Sequence, residues 1–185
     1  MKIILFIFSL FIGATVAAGQ ESEYFKQRRA LGFIESRNIP SAKNKVTSAS
    51  GKYQFMKAWD KFFQRECGVT WSSVVPSRKA PATVTARMSA EQDRLFDAYY
   101  REQVKPWIAD VRRRGLGKKL ADYELLALAH RQGTKGAELY LRTGRDPYNG
   151  KYGNRHVASH LKAMRKAMAF EKYLDSQTNL VGAKA

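Results

Sequence analysis

The stretch Leu31-Gly32-Phe33-Ile34-Glu35-Ser36-Arg37-Asn38-Ile39-Pro40 decides how this chain is read. Upstream of it, Tyr24, Arg28, Leu31 and Glu35 recur at the spacing of one helical stripe, with Phe25 beside them. Ser22 stands where an N-cap is expected. Downstream, Asn38 to Ser50 is polar and holds Pro40, which predicts a loop or an irregular extended segment. Glu35 therefore ends a helix, behind two apolar residues and in front of a polar loop.

The same reading continues outward. Gly51 is expected to open a second helix, whose Phe55, Trp59, Phe62 and Phe63 keep the spacing of a buried face and which Gly68 ends. Residues 72–88 carry two prolines and little periodicity, so a surface connection is expected. Ser89-Ala90-Glu91-Gln92 fits a capping box, with Ser89 as cap. The helix after it would bury Leu95, Phe96, Tyr99, Gln103 and Trp107 and bend or break near Pro106. Asp122 is expected to cap a helix from Tyr123 to about Gln132, stopped by Gly133. The last helix runs from His156 to about Leu174, with Val157, Leu161, Met164 and Met168 inward and Lys162, Arg165 and Lys166 outward. Clear strands are absent. The expected architecture is mostly α, in a single domain with little or no β-sheet.

Bulk properties narrow the setting. Met1-Lys2, an apolar run from Ile3 to Val16, and Ala17-Ala18-Gly19 make the three-part pattern of a secretory signal peptide cleaved after Ala18. The apolar run is about 14 residues, short of the ~20 of a spanning helix. The expected division is thus a leader over residues 1–18 and one domain over 19–185. Export would deliver the protein to the periplasm, the cell envelope or the outside. The single cysteine, Cys67, excludes an internal disulfide and reads as a small apolar residue. The formal net charge of +17 favours an anionic polymer as partner. Nucleic acid, lipopolysaccharide and peptidoglycan with its attached polymers all qualify. An exported protein meets envelope polymers first.

Glu35 is the first chemical candidate. Apolar neighbours and the negative end of a helix dipole both disfavour its carboxylate form, which suits a general acid. Two further segments give that position company. One is Ser50-Gly51-Lys52-Tyr53-Gln54-Phe55-Met56, in which Gln54 follows Glu35 by nineteen residues. The other is Leu126-Ala127-Leu128-Ala129-His130-Arg131-Gln132-Gly133-Thr134-Lys135-Gly136-Ala137. With these three in order, residues 22–160 resemble the soluble lytic transglycosylase-like branch of the lysozyme superfamily, of the goose-type fold. In that family a Glu-Ser pair ends the first helix, a Gly-x-x-Gln segment follows, and a helix ending in Ala-aromatic-x-x-Gly comes later.

The resemblance implies roles. Glu35 would protonate the glycosidic oxygen and then, as carboxylate, take the proton from the 6-hydroxyl of N-acetylmuramic acid, giving a 1,6-anhydro sugar. Ser36 would steady the glutamate or a nearby sugar group, Gln54 would hydrogen-bond substrate, and Tyr53 would shape the cleft, with core packing as its other reading. The partner implied is the peptidoglycan glycan strand, bound by a monomer that needs no cofactor or metal. The family's usual Ala-Tyr-Asn-Ala-Gly is altered here. His130 and Arg131 replace Tyr and Asn, and His130 would either line the cleft or pack in the core. A tyrosine of a late Tyr-Val pair contacts the glutamate in the family; His156-Val157 stands there, and Tyr148 or Tyr152 would substitute.

Other constellations fall short. A conventional glycosidase needs a second carboxylate flanking the bond; Asp60 and Glu66 sit on the second helix, where solvated or salt-bridged roles are expected. His156 and His160 share a helix face, with no Glu between them and no third ligand, which argues against a metal site. Arg112-Arg113-Arg114 with Lys118-Lys119 reads either as a solvated turn or as a contact for anionic polymer. Two other functions stay open on the sequence: a lysozyme-type hydrolase, and a non-catalytic basic envelope or virion protein that binds glycan or nucleic acid.

Overall fold

A computed structural model describes residues 23–147 and 156–182, with side chains of the final helix through Asp175. The expected leader and Ser22 lie outside the described residues. Helix α1 spans residues 23–36 and stops where Arg37 (φ 58°) and Asn38 (φ 59°) turn left-handed. Their N–H groups reach back to the carbonyls of Phe33 (2.8 Å) and Gly32 (3.0 Å), so the chain reverses directly after Ser36. The segment that follows is irregular. Its only sheet-like features among the described residues are single antiparallel bridges, Lys43 with Ser50 and Ser50 with Phe55.

The second helix does not open at Gly51. Residues 51–54 form a tight turn instead, with Gly51 at φ 73° and Gln54 at φ 52°, and a 3-10 turn over Lys57–Trp59 leads into α2 (Asp60–Cys67). The aromatic spacing was misleading because Phe55 reaches the core from the turn itself, edge-on to Phe63, Trp71 and Tyr99. Gly68 closes α2 in the left-handed conformation, as expected. A 3-10 turn at Ser72–Val74 then leads toward α3 (Ala82–Tyr99), which starts just after Pro81. Ser89 therefore lies inside a helix, and the capping box does not form.

Between α3 and α4 (Lys105–Arg113) the helix widens into a π turn over Tyr100–Val104. Pro106 has no N–H, and its ring presses on the carbonyl four residues back, so the expected bend takes this form. Helix α5 (Asp122–Thr143) begins after Ala121, whose N–H donates to the Glu124 carboxylate at 2.9 Å; Asp122 is its first residue rather than its cap. Gly133 breaks the helical path (φ 66°, ψ 160°), but a second helical segment continues to Thr143.

Helix α6 (Val157–Gly182) buries Val157, Leu161, Met164 and Met168 and exposes Lys162, Arg165 and Lys166, as its periodicity predicts. One hydrophobic cluster joins α1, the 51–55 turn and all five later helices. The described chain is a mostly α-helical single domain. None of its helices is long and apolar enough to cross a membrane.

Candidate active site

Helix α6 runs antiparallel to α1. Lys26 pairs with Asp175, Arg29 with Glu171 (2.5 Å), and at the far end Glu35 meets His160, with Oε1 and Nε2 3.5 Å apart. Between these ties lies a groove of about 910 Å3. Small residues, Ala30, Ala163 and Ala167, leave the space open, and Phe33 and Phe170 stand at its sides, 55% and 58% exposed. Glu35 is on its wall with its side chain only 14% exposed, and Lys166 and Arg37 bring positive charge to the same space.

Ser36 lines the same groove beside Glu35, but its hydroxyl, like the other described motif residues, serves a different structure. Ser36 Oγ donates to the Lys52 carbonyl (2.8 Å) and accepts from the Ile39 N–H (3.1 Å). It thus pins the 51–54 turn against the end of α1. Gly32 is the other side of that contact: a Cβ there would collide with the Asn38 side chain and come within 3.1 Å of the Tyr53 ring. Tyr53 is buried, stacked on Phe96 at 4.2 Å between ring centres, with its hydroxyl donating to Asp93. Burial, then the charge and hydrogen bond of Asp93, raise its phenol far above the usual range. Tyr53 packs in the core and is not among the residues that line the groove.

His130 lies beneath the same turn. Its Nε2–H donates to the Tyr53 carbonyl at 2.7 Å, its ring meets Phe55 edge-on, and Nδ1 is buried without a hydrogen-bond partner. A second proton would have no acceptor, and burial holds the ring's pKa down to about 4. His130 is a partly buried packing residue beneath the turn, not among the groove's lining residues. Gln54 is partly buried and turns one amide N–H back onto the Gly51 carbonyl (2.8 Å). Tyr148 and Tyr152 lie outside the described residues.

Several contributors carried no motif. Gln92 is fully buried and serves three backbone groups: it accepts from the Lys52 N–H (2.8 Å) and donates to the carbonyls of Pro40 (3.0 Å) and Val74 (2.8 Å). His160 was visible only as a possible metal ligand. The signal for more was its place between Val157, Leu161 and Met164 on a buried stripe. Phe33 was visible only as an apolar neighbour of Glu35, and Phe170 not at all.

The other carboxylates weighed as partners of Glu35 are engaged elsewhere: Asp146 accepts the Val157 N–H at the start of α6 (3.0 Å) and a Gln132 amide N–H (3.0 Å). Asp60 accepts from the backbone and hydroxyl of Ser72, and Glu66 pairs with Arg65. Glu171 lines the groove, but it belongs to Arg29 and lies eleven residues beyond His160, on the order of 16 Å along the helix. No group of three or more His, Cys, Asp or Glu suits a metal ion among the described residues. The basic run is largely consumed internally. Arg112 binds the carbonyls of Gly117 and Leu120 and pairs with Asp122, Arg113 pairs with Asp110, and Arg114 with Asp110 and Glu138. Lys118 and Lys119 remain exposed. Compared with protein-family models, characterised proteins and solved structures, the chain matches none.

Proposed function

We propose that this chain is a lysozyme-like lytic transglycosylase that cleaves peptidoglycan strands in the groove between α1 and α6, with Glu35 as acid and then base. The observation that carries the reading is a single shielded carboxylate at a helix end, on the wall of a groove with half-exposed aromatic sides. Glycan rings present C–H faces that pack on aromatic side chains. Lys166 and Arg37 suit the negative charge of the lactyl carboxylate or stem peptide.

A lone carboxylate suits the non-hydrolytic route. Glu35 gives its proton to the oxygen bridging N-acetylmuramic acid and N-acetylglucosamine as the C1–O bond breaks. The resulting carboxylate takes the proton of the 6-hydroxyl as O6 bonds to C1, and Glu35 is restored. No water is consumed. An inverting hydrolase would place a second carboxylate about 6.5–9.5 Å away, and a retaining one about 5–5.5 Å. The apolar leader, read as an export signal, would bring the enzyme to its polymer.

Purified peptidoglycan tests this directly. Wild-type protein should clear a suspension, and Glu35→Gln should lose roughly 1000-fold or more of that rate while keeping its fold. Equal clearing by both would remove Glu35 from the chemistry. Mass spectrometry of the released muropeptides should find ends one water lighter than reducing ends; reducing ends alone would make the enzyme a hydrolase.

A further inference from the structure

We infer that His160 is the positioning residue of Glu35, forming with it a buried, electrostatically coupled pair that holds the carboxylate on the groove wall. The inference rests on the proposed function for its catalytic consequence, but not for the pairing itself.

His160 occupies a costly position. It lies on the inward stripe of α6, 5% exposed, where the periodicity calls for an apolar residue. A polar ring is kept on such a stripe at a cost unless something there uses it. What faces it is Glu35, with Nε2 3.5 Å from Oε1 and both side chains shielded from water. At that separation, outside bulk water, the ionisation of one group depends strongly on the other. The contact is one of charge range rather than a hydrogen bond, and a positive charge on the ring favours the carboxylate form. Glu35 therefore releases its proton at lower pH with His160 present than without it, and His160 gains a proton more readily with Glu35 present.

Other charged groups near the pair act as a constant background. Arg37 lies at the end of α1 and, with Lys166 and Glu171 of α6, lines the groove. Glu171 is engaged by Arg29, and Lys52 of the adjoining turn is held by Asp93. On α5, which packs against α6, Glu124 is taken by Arg165, His130 is fixed to the Tyr53 carbonyl, and Arg131 follows it. His156 lies one turn before His160 and is exposed, and Asp146 accepts the Val157 N–H at the start of α6 (3.0 Å) and a Gln132 amide N–H (3.0 Å). None of these changes when Glu35 or His160 alone is replaced, so the coupling appears as a difference between variants.

The chain has three histidines, so their ring protons can be followed individually by NMR titration of the full-length protein and assigned with His156→Gln and His160→Gln. In Glu35→Gln the His160 midpoint should fall by about one pH unit or more, with His156 unmoved. A His160 midpoint unchanged in Glu35→Gln would overturn the pairing whether or not the protein cuts peptidoglycan. The reciprocal variants are His160→Gln and His160→Phe, assayed for clearing against pH. The alkaline limb of kcat/KM should move up by about one unit in both. The plateau of kcat should drop about tenfold in His160→Phe and less in His160→Gln, which keeps a polar side chain, with KM within about twofold. A limb at the wild-type pH in both variants, in a protein that Glu35→Gln inactivates, would leave the proposed function standing and remove His160 from it.

Discussion

Helix α1 has two sides with opposite fates. Behind it lies a sealed joint in which Ser36, Lys52, Tyr53, Gln92, Asp93 and His130 bond to one another or to backbone. In front of it lies the groove, where Glu35 meets His160 and the rings of Phe33 and Phe170 are more than half exposed. The two sides share one helix end, so the residues that resemble a catalytic motif divide between them. Glu35 reaches the open side, and Ser36 touches both, lining the groove while its hydroxyl bonds to the turn behind. The motif companions of Glu35 fix where α1 stops and how the next turn packs on it, which sets the position of the glutamate from behind.

The joint should therefore break the protein where the groove should break only its activity. Gln92→Leu fills similar space but strands the Lys52 N–H and the carbonyls of Pro40 and Val74. At roughly 1–3 kcal/mol for a buried unsatisfied group, with partial relaxation, the loss of stability should be about 3–5 kcal/mol. Urea unfolding would measure it. A loss below about 1 kcal/mol would mean that the joint is not the stable half of the comparison.

A smaller effect belongs to His130. Its folded-state pKa of about 4 lies below the ordinary value of 6.5, so between those values the unfolded chain binds the extra proton and the folded one does not. The contribution is fully present above pH 6.5 and is lost as pH falls toward 4. The full shift corresponds to roughly 3 kcal/mol. Urea midpoints of wild type and His130→Phe across that range should converge toward the acid end, because only the wild type has this loss. Parallel curves would mean that His130 takes up its proton without disturbing the turn.

This division also explains what was legible in the sequence. The stripes of α1 and α6 and the breaks at Gly68 and Gly133 follow from local periodicity and backbone preference, and the structure has them. The start of α2 and the capping box at Ser89 failed because tertiary contacts outweighed local patterns. Phe55 reaches the core from a left-handed turn, and Gln92, the supposed capping partner, turns inward to serve three distant backbone groups. Beside the groove, the helix end that carries Glu35 was legible from the pattern of α1. Which side of α1 each companion faces depends on how α6 and the 51–54 turn close around it, and a single sequence does not encode that as spacing. His160 is the instructive case: an inward-facing histidine on an apolar stripe is a visible anomaly, but its partner lies 125 residues away.

The smallest change in stability should come from the groove's own walls. Phe170 is 58% exposed on α6, and its ring lines the groove together with Phe33. Phe170→Ala leaves no unsatisfied polar group and opens no core cavity, so stability should stay within about 0.5 kcal/mol of wild type. If the groove holds a glycan strand, the same substitution removes a surface on which a sugar ring packs. KM for peptidoglycan should then rise roughly threefold to tenfold, about 0.7–1.4 kcal/mol of binding, with kcat changed less. Phe33→Ala, on the opposite wall, should behave alike, since a strand threaded between α1 and α6 touches both. A KM unchanged in both variants, in a protein still dependent on Glu35, would move the substrate to another face of the glutamate. The comparison would then need redrawing, because α1 would have one sealed side, one idle groove and a catalytic face at its tip, toward the loop that follows Ser36.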